Sequence, residues 1–119
     1  MQNIWSPEVD SILSVGIDLQ SIGVNNWALS WNDAINSVQK FYDIGIPIVG
    51  LDVYFLKEKF VEQTYESFYV EKNPNESDGE FLFRSNKSVE KFLIRYKNNR
   101  LGFYFALVPL VRNSELFTD

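Results

Sequence analysis

The chain has 119 residues, a net charge of −5, and neither cysteine nor histidine. This length fits one domain over residues 1–119, which can bury a single core without disulfides or a structural metal. The missing residue types exclude Ser/His/Asp and Cys/His catalytic triads and thiolate zinc sites, and the negative charge argues against nucleic-acid binding.

Secretion and membrane insertion are not expected from the sequence. Residues 1–8 show neither the basic nor the apolar region of a signal peptide. No segment approaches the roughly 20 apolar residues of a membrane-spanning helix. We therefore expect a cytoplasmic protein.

The N-terminal part of the chain predicts two helices. Ser6-Pro7-Glu8 is typical of a helix start, with a capping hydroxyl, a proline and an acid in the first turn. Residues 18–23 predict one further short turn of helix. Ser30 then begins a helix over Trp31–Ile44, in which apolar residues recur at helical spacing until Gly45 ends it.

The rest of the chain predicts strands and one more helix. Residues 72–79 are polar and turn-forming and predict a loop, after which Ser85 caps a helix over Asn86–Lys97. The residues from Arg112 onward are expected to be loose. The predicted strands, of which the first is central because it is apolar on both faces, are Ile46–Leu56, Phe60–Glu71 and Arg100–Val108.

These elements predict an α+β fold. A small, mainly antiparallel three-stranded sheet is expected to be covered on one face by the two main helices, together with the short N-terminal helix. The reason is that each main helix has a single apolar stripe to bury.

Asp52 and Trp27 each allow two interpretations. Asp52 lies in an apolar strand between Leu51 and Val53, so its carboxylate must be paired, hydrogen-bonded or near solvent. It is either a functional group, in an interaction site or as a general base, or a structural acceptor for the loop near residues 25–29. Trp27 is either an exposed interface anchor or a lid over the core.

Charge is segregated along the chain. Residues 58–80 carry seven acids against two lysines, and residues 84–100 carry six basic residues against one glutamate. Lys87, Lys91 and Arg95 recur every four residues and are expected to share a helix face. The acidic segment is either a docking surface for a basic partner or a solvated face that the basic segment partly neutralises.

Residues 23–54 resemble a known family. They read Gly-Val-Asn-Asn-Trp-Ala-Leu-Ser, then an amphipathic helix, then Ile-Gly-Ile-Pro-Ile-Val-Gly-Leu-Asp-Val-Tyr. This pattern resembles the immunity protein 40 family of bacterial polymorphic toxin systems. A weaker similarity continues through Tyr65–Glu71, where Phe68 replaces a tryptophan, whereas Leu51 departs from the pattern by replacing a second glycine.

The resemblance implies a single-domain protein that binds and neutralises a cognate toxin domain. No catalysis, cofactor or metal is expected, because the sequence has no histidine, no cysteine and no phosphate-binding or metal-binding motif. A basic nuclease domain would suit the acidic balance, and we expect a monomer or weak homodimer that binds neither nucleic acid nor membrane. The alternative is a small-ligand-binding or carboxylate-based enzymatic domain centred on Asp52. The contact is expected at the acidic hairpin with a tyrosine anchor, and next at Asp52 and Trp27. The predicted toxin-binding residues are Glu58, Glu62, Glu66, Glu71, Tyr65, Tyr69, Asp52 and Trp27.

Overall fold

The computed structural model describes residues 3–111, so the prediction of a loose tail from Arg112 concerns residues outside that range. The chain is an α+β protein with two antiparallel sheets, and the predicted three-stranded sheet is confirmed. A short 3₁₀ turn, Gln20–Ile22, lies between the first two strands. The other elements in chain order are α1 (Pro7–Leu13), β1 (Ile17–Asp18), β2 (Trp27–Ala28), α2 (Trp31–Asp43), β3 (Ile48–Lys57), β4 (Phe60–Tyr69), α3 (Asp78–Ile94) and β5 (Phe103–Pro109).

The larger sheet has the order β4-β3-β5, with β3 in the centre as its apolar sequence predicts. Both neighbours are antiparallel to β3, and Asp52 on β3 lies opposite Ser67 on β4 and Ala106 on β5. Because side chains alternate along a strand, these residues share one face of the sheet. We call this face, opposite the helices, the outer face.

The main core lies between the sheet and the helices. Leu51 and Val53 of β3 and Phe105 and Leu107 of β5 are fully buried against residues of all three helices. The bulk of Leu51, where a glycine is expected from the family pattern, therefore fills the core. The indole N–H of Trp31 donates a 2.7 Å hydrogen bond to the Leu93 carbonyl and ties α2 to the end of α3.

A small hairpin of β1 and β2 covers part of the outer face. Its residues Leu19 and Ala28 form a second buried cluster with Tyr54 and Ala106 of the larger sheet. The preceding side chain, Asn26, donates a 2.9 Å hydrogen bond to the Leu107 carbonyl and fixes the hairpin on β5. This second sheet is absent from the prediction, because two-residue strands leave no periodic signal.

The prediction that the third helix begins at Asn86 is wrong. The helix begins at Asp78, and Ser77 and Glu80 form a capping box in which each side chain accepts from the other residue's backbone N–H. These residues lie in the segment whose composition predicts a loop. Ser85, the predicted cap, is buried inside the helix, and its hydroxyl donates to the Leu82 carbonyl.

Smaller differences concern element ends. The first long strand begins at Ile48 rather than Ile46, and the second ends at Tyr69 rather than Glu71. The last begins at Phe103 rather than Arg100, since Gly102 adopts a left-handed turn conformation with φ 83°. The predicted turn of helix over residues 18–23 starts with a strand pair to β2 and becomes helical only over Gln20–Ile22.

Candidate functional site

The outer face carries one carboxylate, Asp52, held by a tyrosine of the neighbouring strand. The Tyr69 hydroxyl donates a 3.0 Å hydrogen bond to Oδ1 of Asp52. Asp52 is half-buried, and Tyr69 remains 59% exposed. The structural interpretation of Asp52 is therefore corrected in one respect, since its partner is Tyr69 on β4 and not the loop near residues 25–29.

Gly50 gives Tyr69 its position. A Cβ atom at Gly50 would collide with Cδ1 and Cε1 of the Tyr69 ring and would lie 2.8 Å from the Phe68 carbonyl oxygen. The two residues are direct partners in the β3–β4 ladder. The bare backbone of Gly50 thus lets the tyrosine ring lie close to the sheet, with its hydroxyl within reach of Asp52.

Two tyrosines near Asp52 have raised pKa values. Burial, followed by the negative charge of Asp52, raises the pKa of the Tyr54 hydroxyl. Burial also raises the pKa of Tyr69, and the hydrogen bond to Asp52 adds to the effect. Both phenols are therefore neutral near pH 7, and Tyr69 acts as a hydrogen-bond donor to an acceptor carboxylate.

Tyr65 lies in an irregular part of β4 beside this pair. Between Asp52 and Tyr54 the ladder advances two positions on β3 but four on β4, from Ser67 to Gln63. Tyr65 has φ 65°, which is unfavourable for a residue with a large side chain, and it is 86% exposed. An exposed aromatic held in a strained backbone is typical of functional positions.

The acidic residues of the hairpin do not form a single row. Glu62 lies opposite Phe55, which packs with Phe103, so Glu62 belongs to the helix side of β4. Glu66 also faces the helix side, where the Arg95 guanidinium lies 3.4 Å from its carboxylate. Burial, followed by the nearby carboxylate of Glu66, raises the pKa of Tyr96 to about 12. Glu62 and Glu66 therefore face away from Tyr69, although all were predicted to serve one contact.

The remaining predicted residues are dispersed. Glu58 forms the turn between β3 and β4 with φ 58°, and Glu71 is exposed just after β4. Trp27 is half-buried and packs against the main core, as expected for a lid. The structure thus brings together Asp52 and Tyr69, and Tyr65 lies four residues before Tyr69 on β4.

An ion pair orders the loop that follows β4. Nε and Nη2 of Arg84 donate hydrogen bonds of 2.6 and 2.8 Å to the two carboxylate oxygens of Glu76, and Nη2 also donates to the Glu71 carbonyl. These bonds to Arg84, followed by the backbone N–H of Asn73, lower the pKa of Glu76 to about 2. Glu76 is therefore occupied by an internal partner.

A separate groove of about 170 Å³ lies between α2 and α3. Tyr42 and Phe83 line it and form an edge-to-face pair, with ring centroids 6.4 Å apart. Asn86 contributes to its lining; its Oδ1 accepts from the Ile48 N–H, whereas its buried Nδ2 has no partner within residues 3–111. Periodicity places Asn86 on the helix but does not predict its role as the acceptor at the start of β3.

The carboxylate of Asp52 is hydrogen-bonded but open to solvent. Asp52 accepts one side-chain hydrogen bond from a solvent-exposed tyrosine and is not enclosed by convergent donors. In the part of the chain that the structure describes, no three carboxylates are placed to hold a metal ion. Over the same residues, no helix has both the length and the apolar character needed to cross a membrane.

The fold is that of a small α+β domain, and its larger sheet exposes the carboxylate–tyrosine pair on one face. The profile of the immunity protein 40 family matches residues 18–109, well over half of the chain, and the chain belongs to this family. The match includes Asp52, Tyr65 and Tyr69. No curated protein and no solved structure matches the chain significantly.

Proposed function

We propose that this protein neutralises a cognate bacterial toxin domain by one-to-one binding in the cytoplasm of the producing cell, without catalysis. Membership of the immunity protein 40 family supports the immunity role. The observation that favours binding is the open setting of Asp52, whose hydrogen-bond donor is 59% exposed. A catalytic carboxylate or a small-ligand site would instead be expected in a concave pocket.

The proposed contact is centred on the outer face of the β3–β4 hairpin. Tyr65 is 86% exposed and Tyr69 59% exposed, and tyrosine is among the residues enriched in interface hot spots. Tyr65 also keeps an unfavourable left-handed backbone conformation. Strained residues of this kind cluster at functional positions. We therefore propose Tyr65 as the main aromatic anchor.

The test uses the toxin domain encoded beside this gene. Co-purification with light scattering should give a one-to-one complex, and toxin activity should disappear at an equimolar ratio. Replacing Tyr65 with alanine should weaken binding at least about tenfold, the effect of losing a hot spot of ~1.4 kcal/mol. The matched control is Tyr42→Ala, a 41% exposed tyrosine that lines the groove between α2 and α3, and this variant should bind as the wild type does.

Two outcomes would contradict this proposal. If the wild-type protein forms no complex with the toxin domain, immunity by direct binding is wrong. If the Tyr65→Ala variant binds and protects cells as well as wild type, the contact does not depend on this face.

The net charge of −5 favours a basic partner such as a nuclease domain. Glu58, Glu62 and Glu71 are exposed and form no ion pair within residues 3–111, so they can add a negative field around the contact. Such a field speeds association more than it sets affinity. The association rate should fall steeply with salt and fall again in a Glu62→Lys, Glu71→Lys variant. A rate that does not depend on salt would contradict a basic partner.

A further inference from the structure

We propose that Asp52 and Tyr69 form a receptor for one arginine side chain of the toxin domain. The inference rests on the proposed function, because it names the chemistry that the outer face recognises. Three observations on the described residues support it. Asp52 has no ion-pair partner, one oxygen of its carboxylate accepts no hydrogen bond, and no cation lies over the ring of Tyr69.

The charge of Asp52 has no counterpart in the part of the chain that the structure describes. The ion pairs there join Lys72 to Asp78, Arg84 to Glu76, Lys87 to Glu90 and Arg95 to Glu66. The outer-face positions around Asp52 are uncharged, and they are Gly50, Tyr54, Ser67, Tyr69, Ala106 and Val108. A cation from a partner would therefore meet a carboxylate without a competing internal cation.

Within the described residues, one of the two carboxylate oxygens of Asp52 is held by a hydrogen bond and the other is not. Tyr69 donates to Oδ1, and Oδ2 accepts no hydrogen bond from residues 3–111. Oδ2 is not buried and therefore faces solvent. Because the Tyr69 hydroxyl holds the carboxylate in place, less side-chain entropy is lost when a ligand binds.

The exposed ring of Tyr69 is open to a cation from a partner, whereas some other rings of the described residues already have one. Arg95 lies 4.8 Å from the ring centroid of Phe92, and Arg100 lies 4.7 Å from that of Trp31. Within residues 3–111, no arginine or lysine covers the exposed ring of Tyr69. An exposed ring beside a carboxylate offers a cation both a π face and an opposite charge.

Arginine fits this arrangement better than lysine. The guanidinium group is planar, so it can stack on the Tyr69 ring while one edge donates to Oδ2 of Asp52. Its weaker hydration also makes removal from water less costly than for an ammonium group. The proposed ligand atom is therefore a guanidinium nitrogen, and a lysine side chain is the alternative that the experiment tests.

The experiment first uses the isolated protein labelled for NMR at its tyrosine rings and backbone amides. N-acetyl-arginine methylamide, added to about 10 mM, should give saturable shifts at Tyr69 and Asp52, in the weak range expected for one side chain. The citrulline analogue, which has the same shape without charge, should give none. Shifts that do not saturate, or that citrulline reproduces, would overturn the proposal, and equal binding of the lysine analogue would overturn the choice of arginine.

The decisive variant is Asp52→Asn, which keeps an oxygen for Tyr69 and removes the charge. It should lose the arginine shifts and bind the toxin domain about tenfold more weakly. The control Asp43→Asn removes the same charge at an exposed position of α2, on the helix side of the sheet, and should match wild type in both respects. If wild type binds the toxin and Asp52→Asn binds it equally well, the arginine receptor is wrong and the proposed function stands. If wild type binds no toxin, the proposed function itself fails, whatever the arginine titration shows.

Discussion

The ring of Tyr69 occupies the space that a side chain at Gly50 would fill. Gly50 on β3 and Tyr69 on β4 are ladder partners, and the hydroxyl of the same tyrosine donates to Asp52 two residues further along β3. A single glycine thus determines the position of the aromatic group that holds the carboxylate.

Replacing Gly50 with alanine is expected to separate Tyr69 from Asp52. The new methyl group would lie 2.8 Å from the Phe68 carbonyl oxygen as well as meeting the ring, so backbone must also shift. Overpacking of this kind costs about 1–3 kcal/mol, which urea unfolding would measure. In the wild type, burial and the hydrogen bond to Asp52 raise the pKa of Tyr69. In the Gly50→Ala variant this pKa should therefore lie closer to its usual value.

The matched control for Gly50 is Gly79→Ala in the first turn of α3. A Cβ at Gly79 meets no atom within 4 Å, and alanine favours the helix. This variant should be at least as stable as wild type. Equal stability of the Gly50→Ala and Gly79→Ala variants would contradict the close approach of Tyr69 to Gly50.

Asn26 is expected to be a stability residue. Its side chain is 5% exposed, and its Nδ2 donates to the Leu107 carbonyl while its Oδ1 accepts from the Trp27 N–H. Asn26→Ala leaves buried polar groups unpaired and should lower the free energy of unfolding by about 1–3 kcal/mol. The control is Asn25→Ala, because the neighbouring Asn25 is exposed. If Asn26→Ala lowers the free energy of unfolding no more than Asn25→Ala does, Asn26 is not a stability residue.

Local patterns predicted the order and type of the long elements because each carries its own periodicity. The apolar residues of α2 recur at helical spacing, and β3 is apolar on both faces, which matches its central place. The start of α3 was missed although Ser77 and Glu80 are three residues apart, because the surrounding Asn, Pro and Gly outweighed that signal.

The site could be predicted only in part from the sequence. Asp52 stands out as a charge in an apolar strand, and alternation along β4 separates Tyr69 from Glu66. The partners of these residues are set by strand register and helix packing, which no local pattern contains. Glu66 meets Arg95, which is 29 residues away, and Tyr69 meets Asp52, which is 17 residues away.

Glu76 is expected to make the free energy of unfolding depend on pH in the acid range. Its pKa is about 2 in the folded protein, lowered first by Arg84, against a usual value of 4.5. A lowered pKa adds stability that is present above pH 4.5 and is lost as the pH falls towards 2. The difference in unfolding free energy between wild type and Glu76→Gln should therefore shrink over this interval. The same comparison made in an Arg84→Met background should show a smaller pH-dependent difference, because the largest cause of the lowered pKa is then removed.

Glu66 is expected to support the fold as well as carry charge. With burial, its carboxylate raises the pKa of Tyr96 from about 10 to about 12, so stability should fall as the pH rises through that interval. Glu66→Gln should lower the pKa of Tyr96 without returning it fully, because burial, the larger cause, remains. A ring-carbon NMR titration would measure this.

The stability cost of losing the Glu66 carboxylate should stay small. Because the ion pair with Arg95 is largely exposed, Glu66→Lys should cost no more than about 1 kcal/mol of stability. Glu62→Gln is the control for Tyr96, since Glu62 lies four residues before Glu66 on β4 and makes no ion pair within residues 3–111. If Glu62→Gln shifts the pKa of Tyr96 as much as Glu66→Gln does, the contact between Glu66 and Tyr96 is wrong. If Glu66→Gln leaves that pKa unchanged, the carboxylate of Glu66 does not act on Tyr96.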